Sequence, residues 1–227
     1  MAAERIAVYL EVGAKRTVAG AIDWPGWCRT GRDDESALAA LVGYASRYAK
    51  VLSTAKGDFR IPAGPAELEI VQTITGDGGT DFGVPGKAPA GDDEVVDETA
   101  LRRLQAILAD CWQALREAAR GAGGHELKRG PRGGGRELEG IVQHVIESNA
   151  GYLRMIGHKV TVEEGPDLQA QIEAAMLGSA EGLSRAVREG VPPSPRGGAR
   201  WTPRYYARRA AWHVLDHAWE IEDRVIQ

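Results

Sequence analysis

The chain has 227 residues, of which 43% are hydrophobic and 26% are charged, an ordinary balance for a globular protein rather than a disordered one. Its formal net charge of −4 provides no overall basic field, which argues against nucleic acid or an anionic membrane surface as a partner. This length accommodates two modest domains or one large one.

The sequence begins without the basic segment and apolar core of a signal peptide. No apolar run approaches the roughly 20 residues that a membrane span requires. Two cysteines, Cys28 and Cys111, are too few for a disulfide framework. We therefore expect a cytoplasmic protein with no membrane partner.

The first third of the chain has the pattern of strands and one helix. In "RIAVYLEV" hydrophobic residues alternate with others, and "TVAGAID" resumes extended structure after a turn, which predicts a hairpin over Ile6–Asp23. "RDDESALAALVGYASRYAKVL" opens with acidic residues and then repeats hydrophobic residues at helical spacing. "ELEIVQTIT" reads as a third strand. Together these elements predict a small α+β domain over residues 1–75.

The composition changes at Gly76. Glycine, proline and aspartate dominate "GDGGTDFGVPGKAPAGDD". Such a composition indicates a loop without regular structure. We expect residues 76–94 to be a linker between two domains.

Beyond the predicted linker the sequence is helical throughout. Hydrophobic residues recur at intervals of three and four, and glycine or proline interrupts the pattern between segments. The predicted helices are Asp97–Ala119, Arg136–Ile156, Asp167–Arg188 and Pro203–Val225. They predict a four-helix bundle over residues 95–227 and, with the first domain, an α+β protein.

Three of the five histidines occupy positions that can converge. His213 and His217 lie one helical turn apart on one face of the last predicted helix, just beside its apolar stripe. His144 has a similar position in the second helix of the bundle, also near mid-height. Three neutral imidazoles suit a divalent transition ion such as zinc or nickel and leave a coordination position open. The alternative is that each histidine is an ordinary surface or hydrogen-bonded residue.

Polar residues near these histidines suggest supporting roles. Asp216 and Glu220 are predicted to orient the imidazoles by accepting their second ring N–H, and Glu220 is also a candidate proton acceptor. Arg200 and Arg204, just before and within the last helix, are candidates for holding a substrate carboxylate. Both belong to a cluster of late arginines at Arg196, Arg200, Arg204, Arg208 and Arg209.

The histidine pattern resembles that of the DinB superfamily of four-helix-bundle metalloproteins. "IVQHVIESNAGYL" supplies His144 in the second helix of the bundle, and "AWHVLDHAWE" supplies His213 and His217 in the last. The resemblance implies a bound metal held by these three residues. It also implies thiol chemistry, because members include transferases and isomerases that use mycothiol or bacillithiol.

The first domain is similar to HicB-like domains. "IDWPGWCRTGRDDESALAALVGYA" places Pro25-Gly26, Gly31 and Asp34-Glu35 in the order found in those domains, ahead of the helix. The resemblance implies a short sheet packed with one helix. HicB antitoxins normally carry a DNA-binding module next, and here the predicted bundle occupies that place, so DNA binding is not expected.

Three functions follow from these patterns and stay open at this stage. The first is a metal-dependent enzyme acting on small molecules, with S-transfer of a low-molecular-weight thiol as its reaction. The second is a regulatory protein that binds a partner through the HicB-like domain, with a structural metal or none. The third is a metal-dependent hydrolase. A homodimer is compatible with each.

Overall fold

The computed structural model describes residues 5–55, 57–129, 135–162, 167–195 and 197–226. The chain divides into two compact units, one ending at Glu94 and the other beginning at Val95. The first unit contains a mixed β-sheet and the second is built from long helices, so the predicted α+β class is confirmed. Val95 is also the residue at which the helical domain was predicted to begin.

The sheet of the first unit has the strand order β3-β2-β1-β4 in the described residues. β1 pairs antiparallel with β2, as predicted for the hairpin, and β2 pairs antiparallel with β3. β4 runs parallel to β1, an arrangement that requires a crossover connection, and α1 lies within that connection. These elements are β1 (Ile6–Val12), β2 (Thr17–Ala21), β3 (Cys28–Gly31), α1 (Asp34–Val51) and β4 (Leu68–Thr75).

Aromatic side chains form much of the core of this unit. Trp27 is fully buried, and its indole N–H donates to the carbonyl of Leu41 at 2.9 Å. Its ring stacks on Tyr48, whose hydroxyl donates to the carbonyl of Pro25 at 2.8 Å. The turn that contains Pro25 is therefore fastened to α1, and Trp27 has a structural role.

The stretch predicted as a linker belongs instead to the first unit. Asp77 caps a short helix, α2 (Gly78–Asp81), and the fully buried carboxylate of Glu11 in β1 accepts the backbone N–H groups of Gly86 and Lys87 at 3.0 Å each. A buried carboxylate is costly unless donors of this kind surround it. The glycine-rich composition thus belongs to a tightly bonded loop rather than to a free connection.

Four long helices make up the second unit in the described residues: α3 (Glu98–Ala122), α4 (Leu138–Met155), α5 (Leu168–Arg188) and α6 (Pro203–Arg224). Each end lies within three residues of its predicted position. α3 packs against α5 and α6, and α4 packs against the same two helices, which makes α4 and α6 neighbours. Thr202 caps α6 by accepting the N–H of Tyr205, and Pro203 occupies the first turn. No helix in the described ranges is long and apolar enough to cross a membrane.

Candidate metal centre

The structure brings the three predicted histidines together between α4 and α6. The ring centroid of His144 lies 5.1 Å from that of His213 and 5.1 Å from that of His217. The two rings on α6 are 4.7 Å apart, as expected for residues one turn apart. Each histidine offers one ring nitrogen, and these three nitrogens lie within 4.8 Å of one another. The geometry thus places three imidazoles around one point.

Burial keeps two of these imidazoles, those of His213 and His144, in the form that binds metals. His213 is only 7% exposed, and burial, followed by the neighbouring His217 and His144, lowers its pKa to about 2. The pKa of His144 is also lowered, by burial first and then by His217 and Arg136. Both rings are therefore neutral at pH 7 and offer a lone pair to a cation.

Glu220 orients His217. The Nδ1 atom of His217 lies 2.7 Å from Oε2 of Glu220, and Arg224 donates to the other carboxylate oxygen at 2.7 Å. The hydrogen bond with His217 and that from Arg224 lower the pKa of Glu220 against the opposing effect of burial, so it is ionised. Because an ionised carboxylate only accepts, Nδ1 of His217 is the donor in this contact, and Nε2 is the ring nitrogen left to face a cation. Both oxygens of Glu220 are engaged, which favours a positioning role over that of a proton acceptor.

Arg224 is itself held in place by the chain that leads into α4. Its side chain is buried, and it donates to the carbonyls of Lys128 at 2.7 Å and Arg136 at 3.0 Å. Gly135 has φ +152°, and a Cβ there would lie 2.5 Å from the Arg224 guanidinium. Glycine is therefore required beside this arginine for both conformational and steric reasons.

The Nδ1 atom of His213 lacks the hydrogen bond that Nδ1 of His217 makes. It is buried and has no hydrogen-bond partner among the described residues, so Asp216 does not accept from it as predicted. A buried polar atom without a partner costs about 1–3 kcal/mol. The three-histidine cluster is thus hydrogen-bonded by the protein on the His217 side and incomplete on the His213 side.

The two arginines predicted to hold a substrate carboxylate bond to backbone carbonyls instead. Arg200 donates to the carbonyls of Pro192 at 3.0 Å and Pro193 at 3.3 Å. Arg204 donates to the carbonyl of Val95 at 3.3 Å. Loop carbonyls need donors of this kind, and these contacts fix the chain around the start of α6. Arg196, from the same cluster of late arginines, lies outside the described residues.

Arg209 also stands near the histidines; from the sequence it was only a member of the cluster of late arginines, a candidate anion-binding patch. Its charge acts on the pKa of His213, and its guanidinium carbon lies 4.5 Å from the ring centroid of Trp212 and 5.4 Å from that of Tyr152. The signal was present in the sequence. Arg209 lies four residues before His213 and so continues the one-turn spacing of the histidine pair.

A separate cavity of about 560 Å³ lies between α4 and α5. None of the three histidines lines it, and its walls include Ile146, Leu153 and Ala174. Because it lacks a cluster of ligating side chains in its described lining, it does not compete with the histidines as a chemical centre.

The histidine cluster fits a divalent transition ion in ligand type and number. Tetrahedral zinc–nitrogen bonds set the ligand atoms roughly 3.3 Å apart, so coordination draws the rings somewhat closer than they stand here. No carboxylate or thiol joins the group among the described residues. Three protein ligands leave a position for water or substrate, the arrangement that distinguishes catalytic from structural zinc sites.

Comparison with known proteins gives no further guidance. No family model matches the chain, no curated protein matches it, and no solved structure matches it. The resemblances to the DinB superfamily and to HicB-like domains therefore rest on their sequence motifs.

Proposed function

We propose that this protein is a divalent-metal-dependent enzyme that transfers a low-molecular-weight thiol to or from small molecules. The observation that carries the proposal is the convergence of His144, His213 and His217 from two helices, with ligand atoms within 4.8 Å of one another. The resemblance to the DinB superfamily supports the choice of thiol chemistry. Zinc or nickel is the ion that neutral imidazoles favour.

The protein's own residues prepare the site for that chemistry. A bound divalent ion would supply the charge that favours the thiolate form of a thiol in the open position. His144 and His213 are neutral because their pKa values are lowered. Glu220 fixes the ring of His217, and Arg224 fixes Glu220. In the transfer the thiolate sulfur would use its electron pair to bond to an electrophilic carbon, while the bond from that carbon to a leaving group such as a halide breaks with its electron pair. The leaving group and the thiol proton would pass to solvent.

The same contacts make a hydrolase the weaker candidate. A hydrolase with these ligands needs a proton acceptor beside the attacking water. Glu220 was the candidate, and its oxygens already accept hydrogen bonds from His217 and Arg224. Thiol transfer requires no such residue, because coordination itself lowers the pKa of a thiol.

The test is metal-dependent conjugation by the full chain, purified without a histidine tag. The protein is loaded with zinc or nickel and incubated with mycothiol, bacillithiol, glutathione or cysteine and a panel of electrophiles, and adducts are measured by mass spectrometry. We expect adducts that disappear with chelator and in His217→Ala. Glu117→Gln is a matched control, because Glu117 is exposed and bonded to Gln113 on α3.

The outcomes separate the metal from the reaction. Metal-loaded protein that is inert toward every pair of thiol and electrophile would refute the transferase and leave the metal site standing. Conjugation that persists unchanged in His217→Ala would refute the three-histidine site as its origin. A non-catalytic partner-binding protein would show neither conjugation nor dependence on these histidines.

A further inference from the structure

Arg209 lies beside the candidate metal centre and has no counter-ion among the described residues. Its Nη1 atom is buried and has no hydrogen-bond partner, and no ion pair of this side chain occurs among the described residues. The other arginines of this region with described contacts, Arg200, Arg204 and Arg224, each donate to backbone carbonyls. Arg209 therefore retains guanidinium donors for a ligand.

Aromatic rings hold this guanidinium in position. Its central carbon lies within cation–π range of both Trp212 and Tyr152, at 4.5 and 5.4 Å. The ring of Tyr152 is in turn 5.7 Å from that of His213, and that of Trp212 is 5.8 Å from it. The guanidinium thus shares two aromatic neighbours with a candidate metal ligand. Such a fixed, partly desolvated guanidinium loses little entropy when it binds an anion.

The local charge favours an anionic ligand. Arg209 and Arg136 both act on His213 as positive charges, and a divalent ion would add to them. The carboxylates that act on His144 are Glu147, which is exposed, and Glu220, which is occupied by His217 and Arg224. The positive charges that act on His213 therefore favour an anionic ligand on this side of the site.

We infer that Arg209 binds an oxyanion of the substrate, a carboxylate or a phosphate, while the reacting group of the same molecule occupies the open position at His144, His213 and His217. The binding of the reacting group at the three histidines rests on the proposed function. The binding of the oxyanion rests on the contacts of Arg209 alone. The planar guanidinium matches either oxyanion with two parallel hydrogen bonds. Arg209 thereby selects small anionic substrates over neutral ones of the same shape.

The experiment uses cobalt-loaded full chain, because thiolate binding to cobalt gives a charge-transfer absorption. Two probes of matched length are titrated, 3-mercaptopropionate with a carboxylate and 3-mercapto-1-propanol without one. We expect the unaltered protein to bind the first at least about tenfold more tightly, the size expected for hydrogen bonds to a charged group. Arg209→Met should lose that preference, and Arg209→Lys should keep part of it. Arg185→Met is the control, because Arg185 is exposed and pairs with Glu189.

A second measurement does not depend on metal. The Nε–Hε signal of Arg209, identified by its absence in Arg209→Lys, is followed by NMR while acetate or inorganic phosphate is added to the full chain without metal. A saturable shift with one of the anions supports the inference and identifies the oxyanion.

The two measurements distinguish the two proposals. Absence of cobalt binding together with a saturable Arg209 shift would refute the metal site and retain the anion contact. An Arg209 signal that neither anion shifts, or a carboxylate preference unchanged in Arg209→Met, would overturn the assignment of Arg209.

Discussion

Two clusters of polar side chains lie within the same helical unit, and only one of them is complete. In the first, which we call the asparagine cluster, Asn149 donates to Ser179 at 2.9 Å and accepts from Tyr206 at 3.1 Å. Ser179 donates to the carbonyl of Ala175 at 2.7 Å. In the second, the three-histidine cluster, the buried Nδ1 of His213 has no partner in the described residues.

We infer from this difference that the asparagine cluster is structural, and it supports our proposal that the three-histidine cluster binds a ligand. Buried polar groups are almost always hydrogen-bonded, and a fully bonded network specifies how helices pack. The asparagine cluster joins α4, α5 and α6 in this way. The three-histidine cluster is bonded through Glu220 at His217, and Nδ1 of His213 has no partner among the described residues, as expected of a site completed by a ligand.

The largest expected effect comes from breaking the complete cluster. Asn149→Leu would remove the amide that accepts from the fully buried hydroxyl of Tyr206 and donates to Ser179. We expect the free energy of unfolding to fall by about 1–3 kcal/mol. Urea denaturation of the full chain followed by circular dichroism measures this change.

The matching substitution in the three-histidine cluster, His213→Leu, should not lower the free energy of unfolding. His213→Leu replaces a buried ring whose Nδ1 has no partner with an apolar side chain. In the presence of a chelator we expect its free energy of unfolding to equal or exceed that of the unaltered protein. A loss as large as that of Asn149→Leu would show that the imidazole has a structural role and would remove the contrast between the clusters.

A smaller effect is expected from the residue that orients His217. Glu220→Gln keeps the shape of the side chain and removes the charge that fixes Nδ1 as the proton carrier. We expect zinc affinity to fall about tenfold, the lower end for loss of such a contact, as measured by competition with a chromophoric chelator. Glu117→Gln, at an exposed residue bonded to Gln113 on α3, should leave affinity unchanged. Equal affinity in both variants would rule out the positioning role of Glu220.

The smallest effect is on the pH dependence of stability. Burial lowers the pKa of His213 from 6.5 to about 2 in the folded protein, so the unfolded chain binds more protons between these values. Stability from this residue is therefore present above pH 6.5 and is lost as the pH falls below it. Between pH 7 and 6, metal-free protein should lose about 0.7 kcal/mol more than His213→Leu. Parallel pH profiles in urea denaturation would contradict the burial of a neutral ring.

The helical unit could be predicted closely from the sequence, because its signals are local. Hydrophobic spacing located each helix, and the four-residue interval between His213 and His217 fixed their common face. To place His144 beside this pair, the sequence analysis needed only the expectation that α4 and α6 are neighbours. Arg209 was grouped only with the late arginines, because its contact with Tyr152 depends on a helix that is distant in the sequence.

The structure of the first unit and the roles of the arginines were harder to predict from the sequence, because contacts with residues distant in the chain determine them. Gly86 and Lys87 lie in a stretch whose composition suits a linker, and only the buried carboxylate of Glu11 shows that they are anchored. Arg200 was expected to bind substrate, and nothing in its sequence context indicates that it bonds the carbonyls of Pro192 and Pro193. The composition of a segment does not indicate which distant residues it contacts.

Zinc stoichiometry across histidine variants tests the central claim most directly. Untagged full chain is titrated with zinc by calorimetry, and bound metal is counted by mass spectrometry. We predict one zinc per chain in the unaltered protein and in His125→Ala, whose histidine is exposed beside Gly123. Stoichiometric zinc binding should be abolished by each of three single substitutions to alanine, at His144, His213 or His217. Equal zinc content in the unaltered protein and in His213→Ala would contradict the three-histidine site.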